Sequence, residues 1–296
     1  FAIKALGLSG EIITTPFSYI ATSSSILWEG CKPVFVDINP EFLTIDEDKI
    51  EEKINSNTSA ILATHVYGNP CKVDVIEKIS KKYNLKIIYD ASHCFGVKYM
   101  GKSIFDYGDL STCSFHATKI FHTAEGGAVF CKDSEILNKI FNLHNFGHNG
   151  PEHFYGLGIN GKMSELHAAL GLTLLPHIDN SIQKRRKIIN QYNNQLNFSK
   201  FKNLSIRSGT TWNCSYYPIV ASSEKLLEKV LSNLNTKNIY PRRYFYPSLD
   251  SLDFFQSDSY CSYSRDISKR ILCLPIYDEL NSLEINKICR TINNSI

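Results

Sequence analysis

Residues 86–93, with the sequence Lys-Ile-Ile-Tyr-Asp-Ala-Ser-His, decide the fold of this chain. An apolar run that ends in a carboxylate is typical of a strand in a parallel sheet that is covered on both faces. Other short, β-branched runs predict further strands at 11–16, 33–38, 60–66, 110–115 and 127–131. Helix-like segments separate these runs. The sequence therefore predicts a three-layer α/β/α fold with a mainly parallel sheet.

The segments between and after these strands predict the helices and the domain division. Val73, Ile76 and Ile79 mark the apolar face of one helix, and an acidic turn at 46–48 predicts another helix over 46–54. After residue 132 we expect helices near 134–144, from about 164, and over 181–196, with a Gly/His/Asn loop at 144–161. Short strands at 216–221 and 271–276 and a helix at 224–234 follow. We therefore expect a large domain at 1–179 and a smaller α+β domain at 180–296.

Composition excludes several classes of protein. The chain has 296 residues, of which 43% are hydrophobic and 21% are charged, as in a folded globular protein of about two domains. Its net charge of +3 is too close to zero to indicate a nucleic-acid or membrane surface. No apolar stretch approaches the ~18 residues of a membrane span. We therefore expect no nucleic-acid partner and no membrane partner.

The nine cysteines predict free thiols and no metal site. The count is odd, and no pair has the close spacing of metal ligands. Such a pattern is typical of a protein kept in a reducing cytoplasm, which is the location that we expect. His144, His148 and His153 do not form a metal site either, because glycines interrupt any common helix face and no carboxylate or cysteine completes the set.

Two strand ends carry unusual chemistry. Asp90 ends one predicted strand, and the segment 111–119 runs from another strand through a hydroxyl-rich turn to Lys119, followed by the pair Gly126-Gly127. Ligands of open α/β sheets bind at the carboxyl ends of the strands. An internal ion pair between Asp90 and Lys119 is one interpretation. The other is a pyridoxal phosphate site, in which a lysine acts as nucleophile and a carboxylate faces the ring nitrogen. Such a close charge pair is worth gross ~4 kcal/mol.

The segments around these residues resemble the DegT/DnrJ/EryC1/StrS sugar aminotransferases, which are fold-type I pyridoxal-phosphate enzymes. Residues 114–119 (Ser-Phe-His-Ala-Thr-Lys) and 125–129 (Glu-Gly-Gly-Ala-Val) resemble the cofactor-lysine motif of that family. The likeness extends along nearly the whole chain, with similar segments at 15–22, 33–38, 65–68, 158–165, 242–247 and 272–275. The last two segments are similar to the branch of the family that acts on nucleotide-linked keto-deoxyhexoses.

The resemblance implies a role for each residue of the cofactor site. Lys119 would form the covalent link to pyridoxal phosphate and shuttle a proton during catalysis, and Asp90 would pair with the pyridine nitrogen. Ser114 would bind the phosphate, and Tyr19 would stack on the ring. His93 stands where the family often has Gln, next to the ring or its hydroxyl.

The resemblance also implies partners. Asn160 matches a residue that reaches the cofactor phosphate of the neighbouring subunit, so we expect a homodimer with shared active sites. Arg243, Tyr244 and Tyr246 would contact the nucleotide sugar, and Arg242 and Arg243 have the guanidinium geometry that suits a diphosphate. The expected substrates are a dTDP-linked keto-deoxyhexose and an amino-acid donor, glutamate, in a pathway of amino-sugar and polysaccharide biosynthesis.

Three functional hypotheses follow. The first is a transaminase, favoured by Lys119, because family members that dehydrate sugars carry His at this position. The second is a pyridoxal-phosphate sugar dehydratase. The third is a non-catalytic homologue that dimerises or binds nucleotide sugar, since residues 1–6 resemble the helix that follows the family's phosphate-binding Gly-Thr turn, and the chain is expected to be truncated at its N-terminus. The keto position, carbon 3 or 4, stays open.

Overall fold

The computed structural model describes residues 1–296. The helices are α1 (Ala2–Ala5), α2 (Ile20–Trp28), α3 (Val73–Tyr83), α4 (Ser134–Leu143), α5 (Glu165–Leu174), α6 (Ile178–Gln195), α7 (Glu224–Asn235), α8 (Ser262–Arg270) and α9 (Ser282–Asn293). The strands are β1 (Glu11–Thr14), β2 (Lys32–Phe35), β3 (Thr58–Thr64), β4 (Lys86–Asp90), β5 (Lys98–Tyr99), β6 (Lys102–Ser103), β7 (Leu110–Ser114), β8 (Gly127–Cys131), β9 (Phe201–Asn203), β10 (Thr210–Thr211), β11 (Tyr217–Ala221) and β12 (Ile271–Leu274).

The central sheet has six strands in the order β2-β1-β3-β4-β7-β8. All six correspond to strands predicted from the sequence. Neighbouring strands from β2 to β7 pair in parallel, and β8 at the edge pairs antiparallel with β7. The predicted, mainly parallel sheet is therefore confirmed.

Side chains that alternate along the strands build two separate cores, one on each face of the sheet. Ile13, Ile61 and Ile87 pack with α3 on one face. Their chain neighbours Ile12, Leu62 and Ile88 pack with α1, α2 and α4 on the other face. Because successive side chains of a strand point to opposite faces, both faces of an apolar strand need cover. The predicted three-layer architecture is confirmed.

One predicted helix is wrong. Residues 46–54 form two 3₁₀ turns, Glu47–Lys49 and Glu51–Lys53, instead of one helix. The segment is short for an α-helix. Moreover, Glu47 is buried beside Lys72 and Arg207, whereas Glu51 turns outward to Lys82. These contacts place Glu47 and Glu51 on different faces of the segment, one toward the protein interior and one toward solvent.

The C-terminal part has its own sheet, in the order β12-β11-β9, with antiparallel pairing. A core of 19 buried residues, all from Ile188 onward, fills the space between this sheet and α6, α7 and α9. The strand β10 belongs to the C-terminal part of the chain, but it pairs with β5 of the N-terminal part, near the first sheet. The predicted boundary at residue 179 falls at the start of α6, and the division into two domains stays a prediction.

Two further observations concern helices and thiols. None of the helices combines the length and the apolar character that crossing a membrane requires. The nine cysteines form no disulfide, and all except Cys131 are buried.

Candidate active site

The strand order brings the two predicted catalytic residues to the same edge of the sheet. β4 ends at Asp90 and lies directly beside β7, with Asp90 opposite Thr112. β7 ends at Ser114, and the turn that follows leads to Lys119, whose backbone N–H donates to the carbonyl of His116 at 2.9 Å. Because parallel strands end on the same side, both functional groups lie at the carboxyl edge of the sheet.

Hydroxyl groups hold the carboxylate of Asp90 on both sides. Thr22 Oγ1 donates to Oδ2 at 2.5 Å, and Ser92 donates to Oδ1 from its hydroxyl at 2.5 Å and its backbone N–H at 3.1 Å. Thr22 lies in the first turn of α2, and its hydroxyl also contacts Ser18 at 2.7 Å. Hydrogen bonds to a charged acceptor are short and strong, so they orient the carboxylate.

Lys119 lies in surroundings that favour its neutral amine. Burial lowers the pKa of Lys119, and the charge of Asp90 opposes that change, so the pKa is below its ordinary value. The charge of Arg242 also lowers the pKa of Lys119. A lysine with a lowered pKa suits nucleophilic and acid–base chemistry.

The predicted glycine pair makes the turn behind Lys119 possible. A Cβ on Gly126, which has φ +155°, would lie 2.4 Å from the hydroxyl of Thr123. A Cβ on Gly127 would lie 2.9 Å from the backbone carbonyl of Cys113 on the neighbouring strand. Neither position has room for a side chain, so the chain turns closely into β8 only because both residues are glycine.

His93 is a buried, neutral imidazole. Its Nδ1 accepts the backbone N–H of Tyr67 at 2.9 Å, so the ring proton resides on Nε2. Burial, and then the charge of Lys119, holds the pKa of His93 well below its ordinary value. The carbonyl of His93 accepts hydrogen bonds from Asn213 at 2.9 Å and Ser215 at 3.1 Å, which fix the loop after β4. The Nε2–H has no partner in the protein and is available to a ligand.

Two cavities and a crevice lie along this edge of the sheet. The first cavity, about 1000 Å³, is bordered by Asp90, Ser92 and Thr22. The second, about 560 Å³, is bordered by Lys119. A narrow crevice is bordered by Ser92, His93, Ser114 and Lys119, so Ser92 is shared with the first cavity and Lys119 with the second. The structure therefore brings together Asp90, His93, Ser114 and Lys119, as the sequence predicted.

Two other predicted cofactor residues lie further out. Tyr19 is the N-cap residue of α2 and is 57% exposed, and it borders neither cavity. Asn160 is exposed in the loop between α4 and α5, where it bridges to Asn145. Its neighbours Gly158 and Ile159 border the first cavity, but Asn160 does not. The roles of Tyr19 and Asn160 stay predictions.

The predicted substrate residues divide into two groups. Tyr244 borders the second cavity with Lys119. Arg243 and Tyr246 do not, because the Arg243 guanidinium lies 3.8 Å from the centre of the Tyr246 ring and donates to the carbonyls of Ser268 and Lys269. Substrate contact by Arg243 and Tyr246 stays a prediction.

The sequence analysis missed an ion pair in the wall of the second cavity. The Nε of Arg185, on α6, lies 3.3 Å from the carboxylate of Asp278, which also accepts a hydrogen bond from Ser181. The partners are distant in the sequence, and no local pattern links them. The hydroxyl of Thr22 was also missed, although it lies within the segment 15–22 that resembles the family.

Comparisons with known proteins agree with this geometry. A model of the DegT/DnrJ/EryC1/StrS aminotransferase family matches residues 1–293. A Shigella dysenteriae protein named dTDP-4-amino-4,6-dideoxy-D-glucose transaminase is 43% identical over 98% of this chain and 81% of its own length. An Escherichia coli protein of the same name is 38% identical over 98% of this chain and 81% of its own length. Among solved structures, DesI in the presence of its TDP-sugar product superposes with a TM-score of 0.93 at 28% identity, over 99% of this chain and 76% of DesI.

Proposed function

This chain belongs to the DegT/DnrJ/EryC1/StrS aminotransferase family and is a sugar-nucleotide aminotransferase, and we propose that it transfers an amino group from glutamate to a dTDP-linked keto-deoxyhexose. The observation that carries this proposal is that Asp90 and Lys119 lie at neighbouring strand ends. Asp90 borders the first cavity, and Lys119 borders the second cavity and the crevice. Lys119 favours transamination over dehydration, as the resemblance implies.

The names of the relatives support a finer proposal for the substrate. Both the Shigella and the Escherichia coli proteins are named for a dTDP sugar with its amine at carbon 4 and no hydroxyl at carbon 6. DesI was solved with a TDP-sugar product. We propose that the acceptor of this enzyme is a dTDP-linked 4-keto-6-deoxyhexose.

The residues at the strand ends fit pyridoxal phosphate, which we propose as the cofactor. The chemistry of the donor set matches the groups of that molecule. Asp90 offers a carboxylate for a ring nitrogen, and Lys119 offers an amine for a carbonyl carbon. Ser114 offers a hydroxyl for a phosphate, and His93 offers an unpartnered N–H for a phenolic oxygen. Tyr19 is the proposed stacking residue.

The residues around the proposed cofactor have different roles in the reaction. Pyridoxal phosphate, when bound, supplies an electron sink for the charge that develops at the reacting carbon. The lowered pKa of Lys119 increases the neutral fraction of its amine. Its Nζ would accept the proton of the donor's α-carbon in the first half-reaction and give a proton to the former keto carbon of the acceptor in the second. Thr22 and Ser92 keep the carboxylate of Asp90 in place. His93 donates from Nε2 and orients the bound ligand.

The surface around α5 supports the proposed homodimer. The helix is apolar on most sides, yet Gly171 is its only buried residue, and Leu166 and Leu172 are 84% and 71% exposed. The preceding loop exposes Phe154 and Leu157. Large exposed apolar surfaces are typical of protein–protein interfaces. We propose that a second copy of the chain covers it and that Asn160 reaches the partner's site.

The test of this function uses purified protein with pyridoxal phosphate, glutamate and a dTDP-4-keto-6-deoxyhexose. We expect mass spectrometry to detect the amino sugar nucleotide and 2-oxoglutarate in equal amounts. Lys119→Ala is expected to abolish both products, whereas Lys225→Ala, an exposed lysine on α7, retains them. A dehydrated sugar as product, or unchanged turnover by the Lys119 variant, contradicts the proposal.

A further inference from the structure

Backbone hydrogen bonds place Arg242 on the wall of the second cavity. Its backbone pairs with β12, since the N–H of Arg242 donates to the carbonyl of Cys273 at 3.2 Å and the N–H of Cys273 donates to the carbonyl of Arg242 at 2.8 Å. Alternate side chains of an extended segment share a face. Arg242 and Tyr244 accordingly both border the cavity, whereas Arg243 does not.

The guanidinium of Arg242 has spare hydrogen-bonding capacity. One of its nitrogens, Nη1, donates to the hydroxyl of Tyr244, and the group lies 5.5 Å from the centre of that ring. It makes no ion pair, and the side chain is exposed to the cavity and to solvent. Arg185, by contrast, has Asp278 as its partner. The remaining N–H groups of Arg242 form a planar fork that suits a bidentate oxyanion.

The charges around the second cavity do not balance. Its lining contains the basic side chains Lys119, Arg185 and Arg242, and among Asp and Glu side chains only Asp278. Asp278 forms an ion pair with Arg185 and accepts a hydrogen bond from Ser181. Lys119 has the charge of Asp90 nearby, so Arg242 is the cation with no carboxylate to offset it. A cavity with an uncompensated cation attracts an anionic ligand.

We infer that Arg242 binds the carboxylate of the amino donor, an inference that rests on the transamination proposed above. The α-carboxylate of an amino acid is one bond away from the carbon that reacts, so it must bind in the same cavity as Lys119. It carries one negative charge, which matches the single uncompensated guanidinium. A nucleotide diphosphate carries two negative charges, whereas the other Lys and Arg side chains of the cavity, Lys119 and Arg185, have the carboxylates of Asp90 and Asp278 nearby.

The first measurement is binding of glutarate, which has the carboxylates of the donor but no amine to react. Calorimetry on the cofactor-loaded protein is expected to show binding that Arg242→Ala weakens by about 10- to 100-fold, the effect of losing charge-assisted hydrogen bonds. Arg242→Lys is expected to recover part of the affinity, because lysine keeps the charge without the fork. Arg290→Ala, an exposed arginine on α9, serves as the matched control.

The second measurement separates the two substrates. Absorbance of the bound cofactor, followed on addition of glutamate alone, gives the donor concentration at half-saturation. Arg242→Ala is expected to raise this concentration about 10- to 100-fold and to change that of the keto sugar less than about twofold. A change confined to the keto sugar assigns Arg242 to the diphosphate and overturns the inference. Unchanged glutarate and glutamate binding overturns it as well.

These outcomes differ from a failure of the proposed function. If glutamate leaves the cofactor absorbance of the unmodified protein unchanged and no amino sugar forms, the transaminase proposal is wrong. Glutarate calorimetry still tests the carboxylate site in that case. An unmodified protein that binds no glutarate contradicts the role of Arg242, whatever reaction is catalysed.

Discussion

His65 is predicted to make the protein sensitive to acid. It follows β3 and lies fully buried beneath the site, where its backbone N–H donates to the carbonyl of Asp90 at 3.0 Å. Its Nδ1 accepts the N–H of Cys71 at 3.0 Å, and its ring stacks on Tyr89 at 4.5 Å. Burial, and then the charge of Arg207, lowers the pKa of His65 from 6.5 to about 3. The native protein therefore keeps this ring neutral.

The sign and size of the effect follow from linkage. The unfolded chain takes up a proton at His65 below pH 6.5, whereas the folded chain does so only near pH 3. Stability is thus fully present above pH 6.5 and is lost as the pH falls toward 3. Between pH 7.5 and pH 5.0, His65 alone is expected to reduce the free energy of unfolding by about 2 kcal/mol.

The experiment compares the unmodified protein with His65→Gln, which keeps an acceptor for the N–H of Cys71 but does not titrate. Urea unfolding at pH 7.5, 6.5 and 5.0, at one protein concentration, gives the free energy of unfolding at each pH. We expect the variant to lose about 2 kcal/mol less than the unmodified protein over this range. The contribution of His93 cancels because both proteins contain it. Equal pH dependence in the two proteins would refute the reasoning.

Three further predictions concern the residues that support the site. Thr22→Val removes the hydroxyl that donates to Asp90 at 2.5 Å. We expect kcat to fall about tenfold, because one charge-assisted hydrogen bond is lost. Steady-state kinetics measure this, and an unchanged kcat argues against the prediction. Asn213→Ala removes the side-chain NH₂ that donates to the carbonyls of His93 and Phe95, although Ser215 still donates to the carbonyl of His93. The change should cost about 1–3 kcal/mol in urea unfolding; Asn213→Asp, with one oxygen in place of the NH₂, should not rescue it. Gly126→Ala puts a Cβ 2.4 Å from a neighbouring hydroxyl at φ +155°, and should lower stability by about 1–3 kcal/mol; an unchanged midpoint of unfolding contradicts that.

Most of the central fold was predictable because its signals are local. All six strands of the main sheet, and helices α3, α4 and α7, follow from the spacing of apolar residues over a few positions. The segment 46–54 was not predictable in this way. Its acidic residues resemble a helix start, but the partners that turn Glu47 inward and Glu51 outward are Arg207 and Lys82, which are distant in the sequence.

The candidate site was predictable to the extent that it consists of strand ends. Asp90 and Ser114 each end an apolar run, and the rule that parallel strands end at one edge brings Lys119 to the same place. The protonation state of His93 was not predictable. It depends on the backbone N–H of Tyr67 and on burial, which only the folded arrangement creates.

The sequence by itself determined the α/β class, the chemistry at residues 90 and 119, and the likeness to a family, because each depends on the order of residues along the chain. Only the tertiary structure decided that β7 lies beside β4, although a β-hairpin, β5 and β6, intervenes in the chain. It also separated Arg242 from Arg243, two identical neighbours of which one borders the cavity. The physical reason is that a side chain's surroundings are set by long-range packing, which neighbouring positions in the sequence do not encode.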